Sequence, residues 1–125
     1  MALTFVEPPE FENDKHKLRK YRHLEDDLIT LRKVMEVTPI PRGSVLIHEK
    51  KRKFAGDIYK LEKFHSQDFH GKGARSGIRV IFHYNKETQT ITFIQIYYHE
   101  REDSDCDKER LARLFPRQKD DLVED

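Results

Sequence analysis

The spacing of apolar residues changes once along this chain, and that change limits the folds open to it. Before Thr38 the period is helical: Leu24, Leu28, Leu31 and Met35 fall at i, i+4, i+7 and i+11, with Ile29 and Val34 widening the stripe. From Ile58 the period is two, in three runs covering residues 58–64, 78–84 and 90–98. The last two runs are joined by a polar turn at 85–89 and entered through a basic glycine loop, so residues 71–100 read as a β-hairpin. A helical stripe followed by half-apolar strands has one economical solution, in which the helices pack on the apolar face of the sheet. The expected class is α+β: a small, antiparallel-rich curved sheet with a two-helix hairpin on one face and a short C-terminal helix.

The flanking signals extend this plan. Residues 3–6 alternate briefly and read as a first strand, stopped by Pro8 and Pro9. Asn13-Asp14 offers an N-cap for a first helix reaching about Arg22, with Leu18 and Tyr21 on one face. Thr38-Pro39 ends the second helix, because the residue before proline resists the helical region. Within 39–57 the prolines and Gly43 break every pattern, and Val45, Leu46 and Ile47 are too short a run to assign. Asp103 or Ser104 is placed to cap a last helix carrying Leu111, Leu114 and Phe115, supported by Glu109 and Arg113 at i, i+4 and closed by Pro116. Residues 1–116 are expected to form a single domain and 117–125 a polar tail.

Charge is distributed unevenly. The net value of +1 conceals −4 over residues 1–14, +9 over 15–99 and −4 over 100–125. A basic body between acidic ends suits an anionic partner, nucleic acid first. No apolar run approaches the roughly 18 residues that span a membrane, and none resembles a signal peptide, so a cytoplasmic setting is expected. The single cysteine, Cys106, excludes an intrachain disulfide and sits between two aspartates, where a thiolate is disfavoured.

If Tyr59, Leu61, Val80, Phe82, Tyr84, Ile94 and Ile96 lie under the helices, alternation sends Lys60, Glu62, Arg79, His83, Gln95, Tyr97 and His99 to the opposite face. Arginine there can hold a phosphate through two hydrogen bonds, and Lys or Glu can take a 2′-hydroxyl proton. A histidine or another cation can protonate the leaving oxygen, while Tyr97 or Phe93 can stack a splayed base. The scheme calls for no metal, and the seven histidines show no ligand spacing. Residues 69–77 add three glycines for close backbone approach, with Lys72 and Arg75 for charge. The compact basic cluster at 49–53 is either a solvated loop or a phosphate contact.

The order strand, helix pair, three strands, together with the stretches GKGARSGIRVIFHY and ITFIQIYYHERED, resembles RelE/ParE-type toxins of type II toxin–antitoxin modules, over about residues 3–115. That resemblance implies a toxin that cuts messenger RNA, often in the ribosomal A site, leaving a 2′,3′-cyclic phosphate. It further implies no cofactor, inhibition of translation, and neutralisation by an antitoxin wrapped around the toxin. By position Arg79 matches the family's central-strand arginine, and Lys60 matches a lysine on the preceding strand. Glu62 stands where some members carry a second lysine. His99 or Arg101 falls where a basic residue follows the last strand, and the terminal-helix tyrosine of some members has no counterpart in residues 104–125. The catalytic set implied is Lys60, Glu62, Arg79, His99 and Arg101, with Lys72, Arg75, His83 and Tyr97 on the RNA. Two other readings share these features: a ParE-like inhibitor of DNA gyrase, and an inactive partner-binding module of the same fold.

Overall fold

The computed structural model describes residues 2–47, 54–69, 76–99 and 106–117. Its elements run β1 (Thr4–Val6), α1 (Pro9–Lys17), α2 (Leu24–Val37), β2 (Ser44–Leu46), β3 (Ile58–Leu61), β4 (Ile78–Asn85), β5 (Thr90–Tyr98) and α3 (Lys108–Leu114). One five-stranded sheet has the order β1-β5-β4-β3-β2, with β1 and β5 parallel and the other neighbours antiparallel. The α+β class is as expected.

The first helix opens at Pro9 and not at Asn13-Asp14. Proline suits a first helical position, where the missing N–H would go unsatisfied in any case. Glu10 and Glu12 in the first turn, and Lys15, His16 and Lys17 in the last, complement the helix dipole. The helix stops at Lys17, short of Arg22, and a tight turn leads into α2. There Leu24, Leu28, Leu31 and Met35 are buried as the spacing requires, whereas Ile29 and Val34 remain nearly half exposed. The stripe is therefore narrower than its sequence suggested. Val45 does belong to a strand, the short edge strand β2.

Strict alternation fails at one place. The β4–β5 register slips between Ile81 and Phe82: Ile81 faces Gln95 and Phe82 faces Phe93, which leaves Ile94 as the extra residue of a β-bulge. Two placements reverse as a result. Phe93 turns under the helices, fully buried, with its ring stacked 5.9 Å from Phe5 and 5.5 Å from Phe11, so it is not available to stack a base. Ile94 turns to the opposite face and joins Phe54, Ile58, Ile81, Cys106 and Leu111 in a second apolar cluster. That face is consequently not a polar surface along its length, because α3 covers much of it.

The bulge also explains why α3 docks there. Pairing with β1 extends along β5 only to Thr92. Beyond it, the Ile96 N–H donates to Asp14 Oδ2 at 3.2 Å, and the Ile94 carbonyl accepts from Arg110 Nη1 at 2.8 Å. Asp14 and Arg110 then bind one another through two contacts of 2.6 and 3.0 Å. A buried bidentate ion pair thus satisfies backbone groups that β1 is too short to reach and ties α1, β5 and α3 together. Asp14, read from sequence as a cap, has this role instead. The N-cap of α3 is Asp107, whose carboxylate accepts from the Arg110 N–H, and Arg113 pairs with Glu10, not with Glu109.

Candidate functional site

Opposed residues of an antiparallel pair project to the same face. Lys60 faces Ile81 and Arg79 faces Tyr97, so Lys60, Arg79 and Tyr97 share the α3 side of the sheet. Glu62 is the first residue past β3, anchored by its N–H to the Gly43 carbonyl at 2.9 Å. Its own carbonyl accepts from Arg79 Nη1 at 3.1 Å, and its carboxylate lies 3.6 Å from Lys60 Nζ. Lys60, Glu62 and Arg79 therefore converge at the end of the sheet where β3 gives out. They stand in contact with water, the Lys60 and Glu62 side chains being 25% and 42% exposed. Among the described residues the Arg79 guanidinium has one hydrogen bond, to this neutral Glu62 carbonyl, and no ion pair.

The other expected residues are placed differently. Gln95 is committed to the fold, since its Oε1 accepts the Asp107 N–H at 2.7 Å. His99 follows β5, its N–H donating to the Gly77 carbonyl at 2.8 Å, and its side chain is partly exposed. His83 stands four positions along β4 from Arg79, roughly 13 Å away at strand spacing, with buried Ile81 between them. Its ring stacks on Phe115 at 4.0 Å, and a Cβ added to Gly56 would meet its Nε2 at 2.4 Å. Burial pushes the His83 imidazole below its usual range, an effect that Asp57 partly opposes. Lys72, Arg75 and Arg101 lie outside the described residues, as does the basic cluster at 49–53.

Sequence reasoning passed over residues 15–23, KHKLRKYRH, where α1 turns into α2. Its density of basic residues was the signal. Tyr21 within it meets Phe69 at 5.0 Å and Tyr98 at 6.5 Å. At the end of the same run, His23 Nδ1 and Asp68 Oδ1 are 3.0 Å apart, and the His23 N–H donates to Asp68 Oδ2 at 3.0 Å.

That contact has a consequence in pH. Hydrogen bonding to Asp68, offset by desolvation, raises His23 above 6.5. Desolvation raises the Asp68 carboxyl, but its bonds from His23 outweigh it, leaving a net shift below 3.8. A raised histidine stabilises fully below its unfolded value and loses that contribution as pH rises through its folded one; a depressed carboxyl does the reverse. The pair is thus fully effective between about pH 4 and 6.5. Asp68→Asn should lower Tm most within this window, remove the pair's share of the fall in Tm on either side of it, and return the His23 ring titration, followed by NMR, toward 6.5.

A cavity of about 640 Å³ opens between α2 and residues 61–67, lined by Leu31, Val34, Pro41, Leu61 and Phe64 among others. Neither Lys60 nor Arg79 lines it, so the apolar hollow and the charged cluster are separate features. Among the described residues, no three His, Cys, Asp or Glu side chains gather into a group that could hold a metal ion, and no helix is long and apolar enough to cross a membrane.

With this geometry in hand, the architecture can be matched to solved structures. A chain of the archaeal RelE–RelB complex from Pyrococcus horikoshii OT3 superposes with a TM-score of 0.54 at 14% identity, covering 81% of this chain and 99% of that one. The fold is RelE-like. The E. coli toxin RelE, as a double arginine-to-alanine mutant in the free state, is also similar, with a TM-score of 0.47 at 14% identity over 82% of this chain and 90% of that one. No family model matches the sequence, and no curated protein matches it. At 14% identity the likeness is one of fold.

Proposed function

We propose that this chain is the toxin of a toxin–antitoxin pair, an endoribonuclease that cuts messenger RNA and so inhibits translation. The convergence of Lys60, Glu62 and Arg79 at the open end of the sheet carries this reading. In the proposed reaction Arg79 receives the non-bridging oxygens of the scissile phosphate and stabilises the charge that grows on the phosphorane. The Glu62 carboxylate, with Lys60 beside it, takes the 2′-hydroxyl proton. The 2′-oxygen then attacks phosphorus, the bond from phosphorus to the 5′-oxygen breaks, and His99 or Arg101 supplies a proton to the departing oxygen. The products are a 2′,3′-cyclic phosphate and a free 5′-hydroxyl. Lys60 and Arg79 bring the positive charge the transition state needs, so the scheme runs without a metal.

Tyr97, opposite Arg79, stacks a base next to the cut, and Lys72 and Arg75 of the glycine loop contact the RNA backbone. His83, stacked on Phe115, has a packing role in this reading. A small antitoxin protein is the proposed partner; the archaeal RelE of the same fold is seen as a RelE–RelB complex.

The direct test is incubation of the purified protein with end-labelled messenger RNA in the presence of a chelator. Discrete fragments ending in a 2′,3′-cyclic phosphate are expected, and Glu62→Gln should slow their appearance by about 10²–10⁴-fold. Intact RNA together with blocked gyrase supercoiling would replace the reading with a gyrase inhibitor.

A further inference from the structure

The turn between α1 and α2 concentrates charge that the fold does not use. Over residues 17–22, Leu18 is buried and Tyr21 leans on Phe69 and Tyr98, while Lys17, Arg19, Lys20 and Arg22 are all exposed. Consecutive bonds from Tyr21 N–H to the Leu18 carbonyl and from Leu24 N–H to the Tyr21 carbonyl tighten the turn. At about 2 Å of rise per residue, the four cations are confined to roughly 10 Å of chain.

Their neighbours at either end are neutralised: Lys15 is held by Glu7, Glu12 and Glu25, and His23 by Asp68. The four between them are not. Among the described residues, the Arg19 side chain reaches only the His16 carbonyl and Lys20 only the face of Tyr21, and none of the Lys17, Arg19, Lys20 and Arg22 side chains has a carboxylate partner. Clustered cations repel one another, so an unneutralised group of four is a cost to the free protein that an anionic partner would relieve.

The position of the turn says where that anion runs. Tyr21 touches Tyr98, Tyr98 pairs with Ile78, and Ile78 precedes Arg79. The turn and the Lys60–Glu62–Arg79 cluster therefore sit at the same end of the sheet, on its two sides. A strand crossing that end meets both.

We propose that Lys17, Arg19, Lys20 and Arg22 form a binding site for the phosphodiester backbone of single-stranded RNA, holding nucleotides that flank the one presented to Arg79. The link to Arg79 rests on the nuclease reading; the RNA site itself does not. With no base-reading group among the four, the site is independent of sequence. Its contribution is ionic and released by salt: at about 0.7 units of slope per phosphate neutralised on a single strand, four contacts add roughly 3 to the slope of log affinity against log salt.

The experiment is fluorescence anisotropy with a labelled 20-nucleotide single-stranded RNA between about 50 and 200 mM salt, in an Arg79→Ala background that keeps the RNA uncut. The quadruple variant Lys17→Gln, Arg19→Gln, Lys20→Gln, Arg22→Gln is compared with that parent, and its thermal transition is checked to show that the fold is kept. The parent is expected to lose about 50-fold more affinity across this salt range than the quadruple variant, whose slope should be shallower by 2–3. Equal slopes for the two proteins would overturn the proposal. So would capture of phosphatidylglycerol-containing vesicles, dependent on the four residues, with no such dependence for RNA. Failure of the two readings can be told apart. Residue-dependent RNA binding by a protein that never cuts RNA removes the nuclease and keeps this site. Cleavage of RNA by the protein that retains Arg79, with the affinity of the Arg79→Ala parent unchanged by the four substitutions, removes this site and keeps the nuclease.

Discussion

Arg79→Ala should lower RNA cleavage by about 10²–10³-fold, the effect of removing one preorganised donor to a developing oxyanion. The fall should appear in kcat more than in KM, since the guanidinium acts on charge that exists mainly in the transition state. Folding should be nearly unaffected: the side chain is partly exposed and, among the described residues, makes one hydrogen bond, to the Glu62 carbonyl. Arg79→Lys should recover little, because an ammonium cannot present the two-pronged donor that a phosphate accepts. Single-turnover cleavage assays of the two variants, with thermal melts alongside, would decide the matter. Wild-type rates in Arg79→Ala would remove Arg79 from the chemistry.

Arg110→Ala should destabilise the fold by about 3–5 kcal/mol, because it leaves the Asp14 carboxylate buried without its charged partner. The Ile94 carbonyl would lose its partner as well. Urea unfolding should show the midpoint falling with little change in slope. Asp14→Leu combined with Arg110→Met, which removes both charges, should cost less than the sum of the single changes but should not reach wild type. The reason is that the Ile94 carbonyl and the Ile96 N–H would still be without bonds on that side of β5. A double variant as stable as the wild type would show that water or a shift of α3 satisfies those groups.

Much of the molecule was legible in the sequence because its signals are local. The α2 stripe appears in spacing alone, and its stop at Thr38-Pro39 follows from proline sterics. The boundaries of β4 and β5 are marked by the turn at 85–89, where Asn85 Oδ1 accepts the N–H groups of Glu87 and Thr88. Lys60, Glu62 and Arg79 could be grouped in advance because all three precede the bulge in register: Lys60 faces Ile81, and Arg79 needs only its own strand's alternation. The α1 boundaries were harder. Asn13-Asp14 looks like a cap at short range, and only the contact of Asp14 with a residue 96 positions away shows what it does.

The sequence by itself determined the class of fold, the helix-on-sheet arrangement and the face on which Lys60 and Arg79 lie, since periods of 3.6 and 2 are properties of neighbouring residues. Tertiary structure decided the rest. The single extra residue at Ile94 exchanged the faces of Phe93 and Ile94, and no local pattern encodes it; the bulge persists because Asp14 and Arg110, from two distant helices, bond the backbone it exposes. The same docking of α3 closed most of the face that alternation had left open, stacked His83 beneath Phe115, and confined the open charged surface to the end where Lys60, Glu62 and Arg79 meet.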